Sequence, residues 1–222
     1  MEVIEAIRTR RSTRAFKPDP VPRKVLEEIL DTCRWAPSWA NSQSWEFAIV
    51  GGKTLDELKK RLEEKAKVKA PETPEIPKPK FSEPHLARGT WIRDNSARLM
   101  ADPRIKDPEE QRRNFTLKVT RFLDAPNAII IYMERDLSPY LIHDVGIMVQ
   151  TICMAAHGRG LGTCITARVM FYPDVLREVL KIPESKIIVM GIDIGYPDPD
   201  APINNYERPR EPLDTFTHWY DV

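Results

Sequence analysis

Hydrophobic positions follow helical and strand spacing in turn along most of the chain. Apolar residues at helical spacing predict a short helix at 3–7 and a second at 25–30. A short apolar run at 47–50, ended by two glycines, predicts a buried strand, and a helix is expected over 54–67. Alternation of the two spacings indicates a fold that contains both kinds of element.

The second half of the chain continues this alternation. Three β-branched runs predict strands at 128–133, 163–167 and 187–194, and a charged stretch at 90–122 is expected to be helical. Small and apolar residues cover much of the predicted helix 143–157, which indicates burial on more than one side and contact with another subunit. The segment 202–222 has little periodicity and is expected to wrap over a neighbouring surface.

A proline-rich segment interrupts the pattern at about 69–84. Prolines among lysines and glutamates exclude a helix interior and a central strand, so an exposed, stiff insertion is expected. Long irregular segments in compact domains are often lids or mobile loops, and these two alternatives have equal weight here. The chain of 222 residues is otherwise expected to form a single domain over 1–222.

The balance of charge limits the kinds of partner. The chain has 34 Lys and Arg against 33 Asp and Glu, so it has no global field to attract nucleic acid or an anionic membrane. No apolar run reaches the ~20 residues of a spanning helix, and the first residues lack a signal-peptide core, which predicts a cytoplasmic protein. Small molecules are the expected partners.

Cysteines and histidines give no support for a metal site. Cys33, Cys153 and Cys164 are widely spaced in apolar segments, which favours reduced core thiols over disulfides. The four histidines have no ligand spacing, so no metal is expected.

Two basic segments have the donors that a phosphate monoester requires. Arg10, Arg11, Ser12 and Arg14 place three guanidinium groups and a hydroxyl within five residues. Near the other end of the chain, the Arg208-Pro-Arg210 sequence presents two further cations. Each segment alone is also compatible with an ordinary solvated surface.

Two other segments are suited to a planar ring. The polar turn around Ser38, Trp39 and Asn41 offers uncharged donors and acceptors for the edge of a heteroaromatic ring, although a capped turn beside core tryptophans is the favoured explanation of this segment on its own. Glycines at 158–162 follow a helix and precede a strand, the reverse of a dinucleotide-binding fingerprint. They are expected to end the helix, and the next strand could face a ligand.

No catalytic side chain can be assigned from the sequence. Neither a nucleophile paired with a base nor a pair of acidic groups in a suitable setting is visible. A bound cofactor would then supply the chemistry.

Together these segments resemble the nitroreductase family of FMN-dependent oxidoreductases. The resemblance rests on R-R-S-T-R-A-F at 10–16, P-S-W-A-N-S-Q-S-W at 37–45, D-x-G-x-x-x-Q at 144–150 with A-A-H-G-R-G-L-G-T after it, and G-Y-P followed by R-P-R-E-P-L-D at 195–214. It implies an α+β fold, with a mixed, mostly antiparallel sheet flanked by helices, in an interlocked homodimer.

The resemblance also implies a site. It assigns FMN contacts to Arg10, Arg11, Ser12, Arg14, Ser38, Trp39, Asn41, Arg121, Ile165, Thr166, Ala167, Arg208 and Arg210, with Ser38, Trp39 and Asn41 supplied by the other subunit. NADH or NADPH would donate hydride, and the flavin would pass electrons to a nitroaromatic, quinone or related conjugated acceptor by a ping-pong mechanism.

Two departures leave the acceptor open. Ser44 replaces the usual proline of the second segment, and Ala167 has no side-chain hydroxyl or carboxylate to offer flavin N5. Reductive dehalogenation, oxygen-dependent flavin cleavage and a non-catalytic flavin-binding dimer are the alternatives on the same scaffold.

Overall fold

The structure is a computed structural model that describes residues 2–222. The helices are α1 (Val3–Thr9), α2 (Arg23–Cys33), α3 (Gly52–Lys67), α4 (Glu83–Leu99), α5 (Pro108–Thr120), α6 (Leu141–Gly158) and α7 (Pro173–Leu180). The strands are β1 (Trp45–Gly51), β2 (Asn127–Glu134), β3 (Gly162–Thr166) and β4 (Lys186–Gly195). All four predicted strands are therefore present, each within two residues of its expected bounds.

The strands form one sheet in the order β1-β2-β4-β3, with every neighbouring pair antiparallel. Alternate residues of β2 face opposite sides of this sheet. Ile129 and Ile131 pack in the cluster that contains residues of α2 and α6, whereas Ile130 packs in the cluster that contains residues of α3 and α7. Helices thus cover both faces, and the expected α+β fold is confirmed. The resemblance implies a mixed, mostly antiparallel sheet, and every pair of neighbouring strands is antiparallel.

The stretch 90–122 is two helices and not one. Helix α4 ends at Leu99 and α5 begins at Pro108, where the Asp107 side chain accepts a hydrogen bond from Glu109 N–H at 3.1 Å. Asp102 precedes Pro103, and a residue before proline is disfavoured in the helical region. These Asp-Pro pairs break the chain into a helical hairpin.

The proline-rich segment is irregular, as predicted, but it is anchored to the fold. Pro84 lies in the first turn of α4, so the irregular part ends at Ser82. Within it, the Glu75 carboxylate accepts hydrogen bonds from Arg177 Nη2 at 2.6 Å and from Ile188 N–H at 2.9 Å. Ile76 packs against the core cluster of α2 and α6. The expectation of an exposed insertion is therefore wrong for the part around Glu75 and Ile76, whereas residues 77–84 are exposed.

The C-terminal segment lies over α4. Arg88 pairs with Glu211 at 3.1 Å, and its guanidinium lies over the Phe216 ring at 5.4 Å. The Trp91 and Tyr206 rings are 6.1 Å apart. Within residues 2–222, no helix has both the length and the apolar character that crossing a bilayer requires.

Candidate functional site

Both ends of the chain meet at one cluster of guanidinium groups, which we call the arginine cluster: Arg10, Arg11, Arg208 and Arg210. Arg208 donates hydrogen bonds to the carbonyl oxygens of Arg8, at 2.9 Å, and of Arg10. Arg11 donates to the Asn204 carbonyl, and Arg210 to the Pro209 carbonyl at 2.9 Å. These bonds all go to backbone oxygens, so they leave the positive charges without a carboxylate.

The pKa shifts of two groups agree that the positive charge of the arginine cluster is uncompensated. Burial, reinforced by the positive charges of Arg11, Arg210 and Arg10, lowers the pKa of Arg208. His157, which lies within hydrogen-bond distance of Thr9 Oγ1 at 2.8 Å, has a pKa lowered by burial and by Arg10 and Arg208. Arg10 Nη1 is buried and has no hydrogen-bond partner among residues 2–222. An anionic group is the partner that such donors fit.

Asn204 holds the first basic segment in place, a role that the sequence did not indicate. Its side-chain oxygen accepts from Arg14 N–H at 2.8 Å, and its amide nitrogen donates to the Ala15 and Asp198 carbonyls at 2.8 Å each. Asn204 and the adjacent Asn205 stand in a segment with little periodicity, so nothing in the sequence singled out Asn204.

The first basic segment also joins the edge of the sheet at β3. Ser12 forms an isolated parallel bridge with Thr163, and Thr13 N–H donates to the Thr163 carbonyl at 2.8 Å. Gly162 permits this contact, since a Cβ there would lie 2.3 Å from Thr13 Oγ1. Gly160, with φ of +74°, supplies the left-handed turn expected after α6.

A pocket of about 280 Å³ lies between the end of β3 and the helical hairpin. Arg14 and residues 164–168 line one side, which includes the predicted contacts Ile165, Thr166 and Ala167. Arg14 donates to the Tyr206 hydroxyl at 3.0 Å and to the Ser12 carbonyl at 3.4 Å. The structure therefore brings Arg14 and the predicted β3 residues to one cavity.

The polar turn is held at the start of α6. The buried Asp144 carboxylate accepts hydrogen bonds from Trp39 N–H at 3.0 Å and from Ser42 Oγ at 3.4 Å. Ala40 and Asn41 are left-handed, with φ of 48° and 57°. Ser38 Oγ accepts from Gln43 N–H at 3.0 Å. Asp144 thus holds this turn in place, a role that its position in the family motif did not indicate.

This turn is remote from the arginine cluster within one chain. Asp144 is in the first turn of α6, whereas His157, beside the cluster, is in the last turn. At a rise of 1.5 Å per residue, these positions are about 20 Å apart. Ser38, Trp39 and Asn41 are therefore not brought together with Arg10 and Arg208.

Arg121 is also apart from the pocket. Its guanidinium pairs with Asp124 at 3.0 Å and with Glu63 of α3 at 2.9 Å. The hydrogen bond to Asp124 is the main cause of its raised pKa. Two carboxylates thus already satisfy the positive charge that the resemblance assigned to the flavin.

A cluster of uncompensated cations beside a pocket at the sheet edge defines an α+β protein that binds a phosphorylated ligand. A nitrobenzene nitroreductase of Ectopseudomonas oleovorans is 30% identical over 96% of this chain and 94% of its own length. An FMN and NADPH-dependent nitroreductase structure from Sphigopyxis sp. strain HMH matches all of both chains with a TM-score of 0.92 at 25% identity.

A third relative is the FMN-dependent nitroreductase NfnB of Mycobacterium smegmatis, whose structure was solved in complex with NADPH. It matches 98% of this chain and 97% of its own with a TM-score of 0.87 at 27% identity. The model of the Nitroreductase family matches residues 7–196. The chain belongs to the nitroreductase family, which confirms the resemblance seen in the sequence.

Proposed function

We propose that this protein is an FMN-dependent oxidoreductase that takes hydride from NADPH or NADH and passes electrons to a nitroaromatic, a quinone or a related conjugated acceptor. The observation on which this rests is the arginine cluster, whose cations have backbone oxygens as partners and whose Arg10 Nη1 has none. Relatives with FMN and NADPH support the assignment.

The donors of the cluster fit a terminal phosphate. Arg10, Arg11, Arg208 and Arg210, with Ser12 beside them, would bind the phosphate of FMN through charge-assisted hydrogen bonds. Arg14, at the wall of the pocket, would place a fixed positive charge at the pyrimidine edge. Ile165, Thr166 and Ala167 would lie along the ring, with a backbone N–H near N5. When bound, FMN supplies the hydride-accepting and hydride-donating centre.

The direct test is the cofactor content of the purified protein. We expect a flavin absorption spectrum, release of FMN and not FAD on denaturation, and bleaching of the spectrum by NADPH or NADH without oxygen. Re-oxidation by nitrobenzene or a quinone completes the cycle. FAD in the extract, or a flavin that neither nicotinamide reduces, would overturn the proposal.

We propose that the two substrates react in turn at the flavin, because the ring that accepts hydride from the nicotinamide is the same group that then reduces the acceptor. Release of the oxidised nicotinamide before the acceptor enters gives a ping-pong mechanism, and parallel lines in double-reciprocal plots are the kinetic evidence for it.

The site is completed by a second subunit in this proposal. The Trp39 turn and the arginine cluster lie at opposite ends of α6, so one chain does not present both to one FMN. Apolar side chains of α1 are exposed, with Val3 at 69%, Ile4 at 62% and Ile7 at 56%, and Trp39 is 67% exposed. A homodimer would cover these surfaces and place Ser38, Trp39 and Asn41 at the partner's flavin.

A mixed dimer tests this shared site. We expect Arg10→Met and Asn41→Ala homodimers each to bind FMN weakly, because every site has one defect. In a purified heterodimer of the two variants, one site combines both defects and the other is intact. One tightly bound FMN per heterodimer is the expected result. None per heterodimer would place both residues in the same chain's site.

We propose that the proline-rich segment at 69–84 influences the shape of the pocket through its contact with Arg168. Its Glu72 pairs with Arg168 at 2.6 Å, and Arg168 lines the pocket directly after Ala167. This contact would set the position of Arg168 beside the flavin ring and so influence which acceptors enter.

A further inference from the structure

The roof of the pocket is formed by one face of α4 together with α5. Gly89, Ile92, Arg93 and Ser96 line it from α4, and Phe115 and Val119 line it from α5. A Cβ added at Gly89 would have no atom within 4 Å, so this part of the roof is open. The roof thus combines apolar side chains with the Arg93 guanidinium and the Ser96 hydroxyl.

The Ser96 hydroxyl has no partner in the fold. The residue is 3% exposed, and its Oγ is buried without a hydrogen bond to any residue in 2–222. Hydroxyls on the neighbouring helix α5 behave differently, since Thr116 and Thr120 donate to the carbonyls four residues earlier at 2.9 and 2.8 Å. A buried hydroxyl without a partner destabilises a protein, so the Ser96 hydroxyl indicates a bound ligand that forms the missing hydrogen bond.

We propose that Ser96 is a specificity-determining residue, whose hydroxyl donates a hydrogen bond to an oxygen of a single-ring aromatic acceptor bound between this roof and the flavin ring. This inference rests on the proposed function. The apolar side chains of the roof would pack on the ring, and no carboxylate lines the pocket to repel a nitro or carbonyl oxygen. Ser96 therefore favours acceptors with an oxygen over apolar rings of the same shape.

Stability gives the first test, with a readout that does not depend on turnover. We expect Ser96→Ala to raise the Tm of the FMN-free protein by about 2–4 °C, because it removes an unpartnered hydroxyl from a buried site. A fall in Tm would show that the fold itself uses the hydroxyl, and would overturn the proposal. Asn95→Ala on the same helix is the control, because Asn95 donates to the Trp91 carbonyl at 2.9 Å and does not line the pocket.

Ligand binding gives the second test. Nitrobenzene and toluene have similar shapes, and only nitrobenzene has oxygens, so each is titrated into the oxidised, FMN-loaded protein and followed by the flavin spectrum. We expect Ser96→Ala to weaken nitrobenzene binding about threefold to tenfold and to leave toluene binding and the Kd for FMN unchanged. Asn95→Ala should change none of these.

The outcomes separate this inference from the proposed function. Equal loss of nitrobenzene and toluene binding would assign Ser96 to packing, and weaker FMN binding would assign its hydroxyl to the flavin. Either result overturns the proposal while the enzyme remains an FMN oxidoreductase. Absence of FMN from the wild-type protein would instead refute the proposed function.

Discussion

Replacing Arg10 by methionine is expected to weaken FMN binding by at least about a hundredfold. The substitution removes at least two charge-assisted hydrogen bonds to the phosphate, each contributing about 1.5–3 kcal/mol, and 1.4 kcal/mol corresponds to a factor of ten. Methionine retains much of the apolar stem, so the packing of the segment is preserved. Quenching of FMN fluorescence during titration into the apoprotein measures the change.

Two comparisons make this result specific for the phosphate. Riboflavin lacks the phosphate and should bind the wild-type and Arg10→Met proteins equally. Arg23→Met is the matched control protein, since Arg23 is 91% exposed in its side chain and pairs with Glu27 on the surface of α2. If Arg10→Met weakened riboflavin as much as FMN, the effect would lie in the fold and not in phosphate recognition.

Replacing Glu75 by glutamine is expected to lower the free energy of unfolding by about 3 kcal/mol. The Glu75 carboxylate accepts hydrogen bonds from Arg177, Arg135 and Ile188 N–H, and Arg177 is only 9% exposed in its side chain. A neutral amide leaves the buried guanidinium without its counter-charge. Urea unfolding at pH 7 measures the change, which corresponds to about 6–12 °C in Tm.

Lowering the pH should remove the difference in the free energy of unfolding between the wild type and Glu75→Gln. Burial on its own would raise the pKa of Glu75, but the hydrogen bonds from Arg135, Ile188 N–H and Arg177 outweigh it, and the pKa lies below its usual value. The contribution is complete above the ordinary glutamate pKa of about 4.3 and is lost as the pH falls through the lowered value in the folded state. The gap between wild type and Glu75→Gln should therefore narrow below about pH 4.

Glu184→Gln is the control for charge alone. Glu184 also faces Arg177, at 3.6 Å, but its side chain is 87% exposed. Water already screens this pair, so the expected change is below about 1 kcal/mol. An equal loss of stability in both variants would show that the net charge near Arg177 matters and that the anchoring of the proline-rich segment does not.

Elements with a strong local signal were predictable from the sequence. Strands β2 and β4 are long runs of β-branched residues, and a buried central strand requires such a run, so their positions follow directly. The break between α4 and α5 was also encoded, in the Asp-Pro pairs at 102–103 and 107–108. The prediction of a helical stretch over 90–122 did not include this break, because the charged stretch lacks the apolar periodicity that marks where one helix ends.

Other features depend on tertiary contacts that the local sequence does not specify. Glu75 stands in a run of prolines and charges typical of a solvated segment, and only the approach of Arg177 from α7 makes it an anchor. The pairing of Arg121 with Glu63 likewise joins the residue after α5 to helix α3. The family motifs identified the segments that are proposed to bind the flavin, whereas the supporting contacts of Asn204 and Asp144 appear only when the chain is folded.

The junction of the two chain ends also has a consequence for biosynthesis. Arg208 donates to the carbonyls of Arg8 and Arg10, and Asn204 holds Arg14 and Ala15, so the first basic segment is shaped by residues translated nearly two hundred positions later. A nascent chain on the ribosome would contain all four strands of the sheet before it contained the later residues of the proposed phosphate site. Under the proposed function, flavin loads only after Arg210 has been translated, and retained flavin would mark chains that have been synthesised past Arg210 and folded correctly.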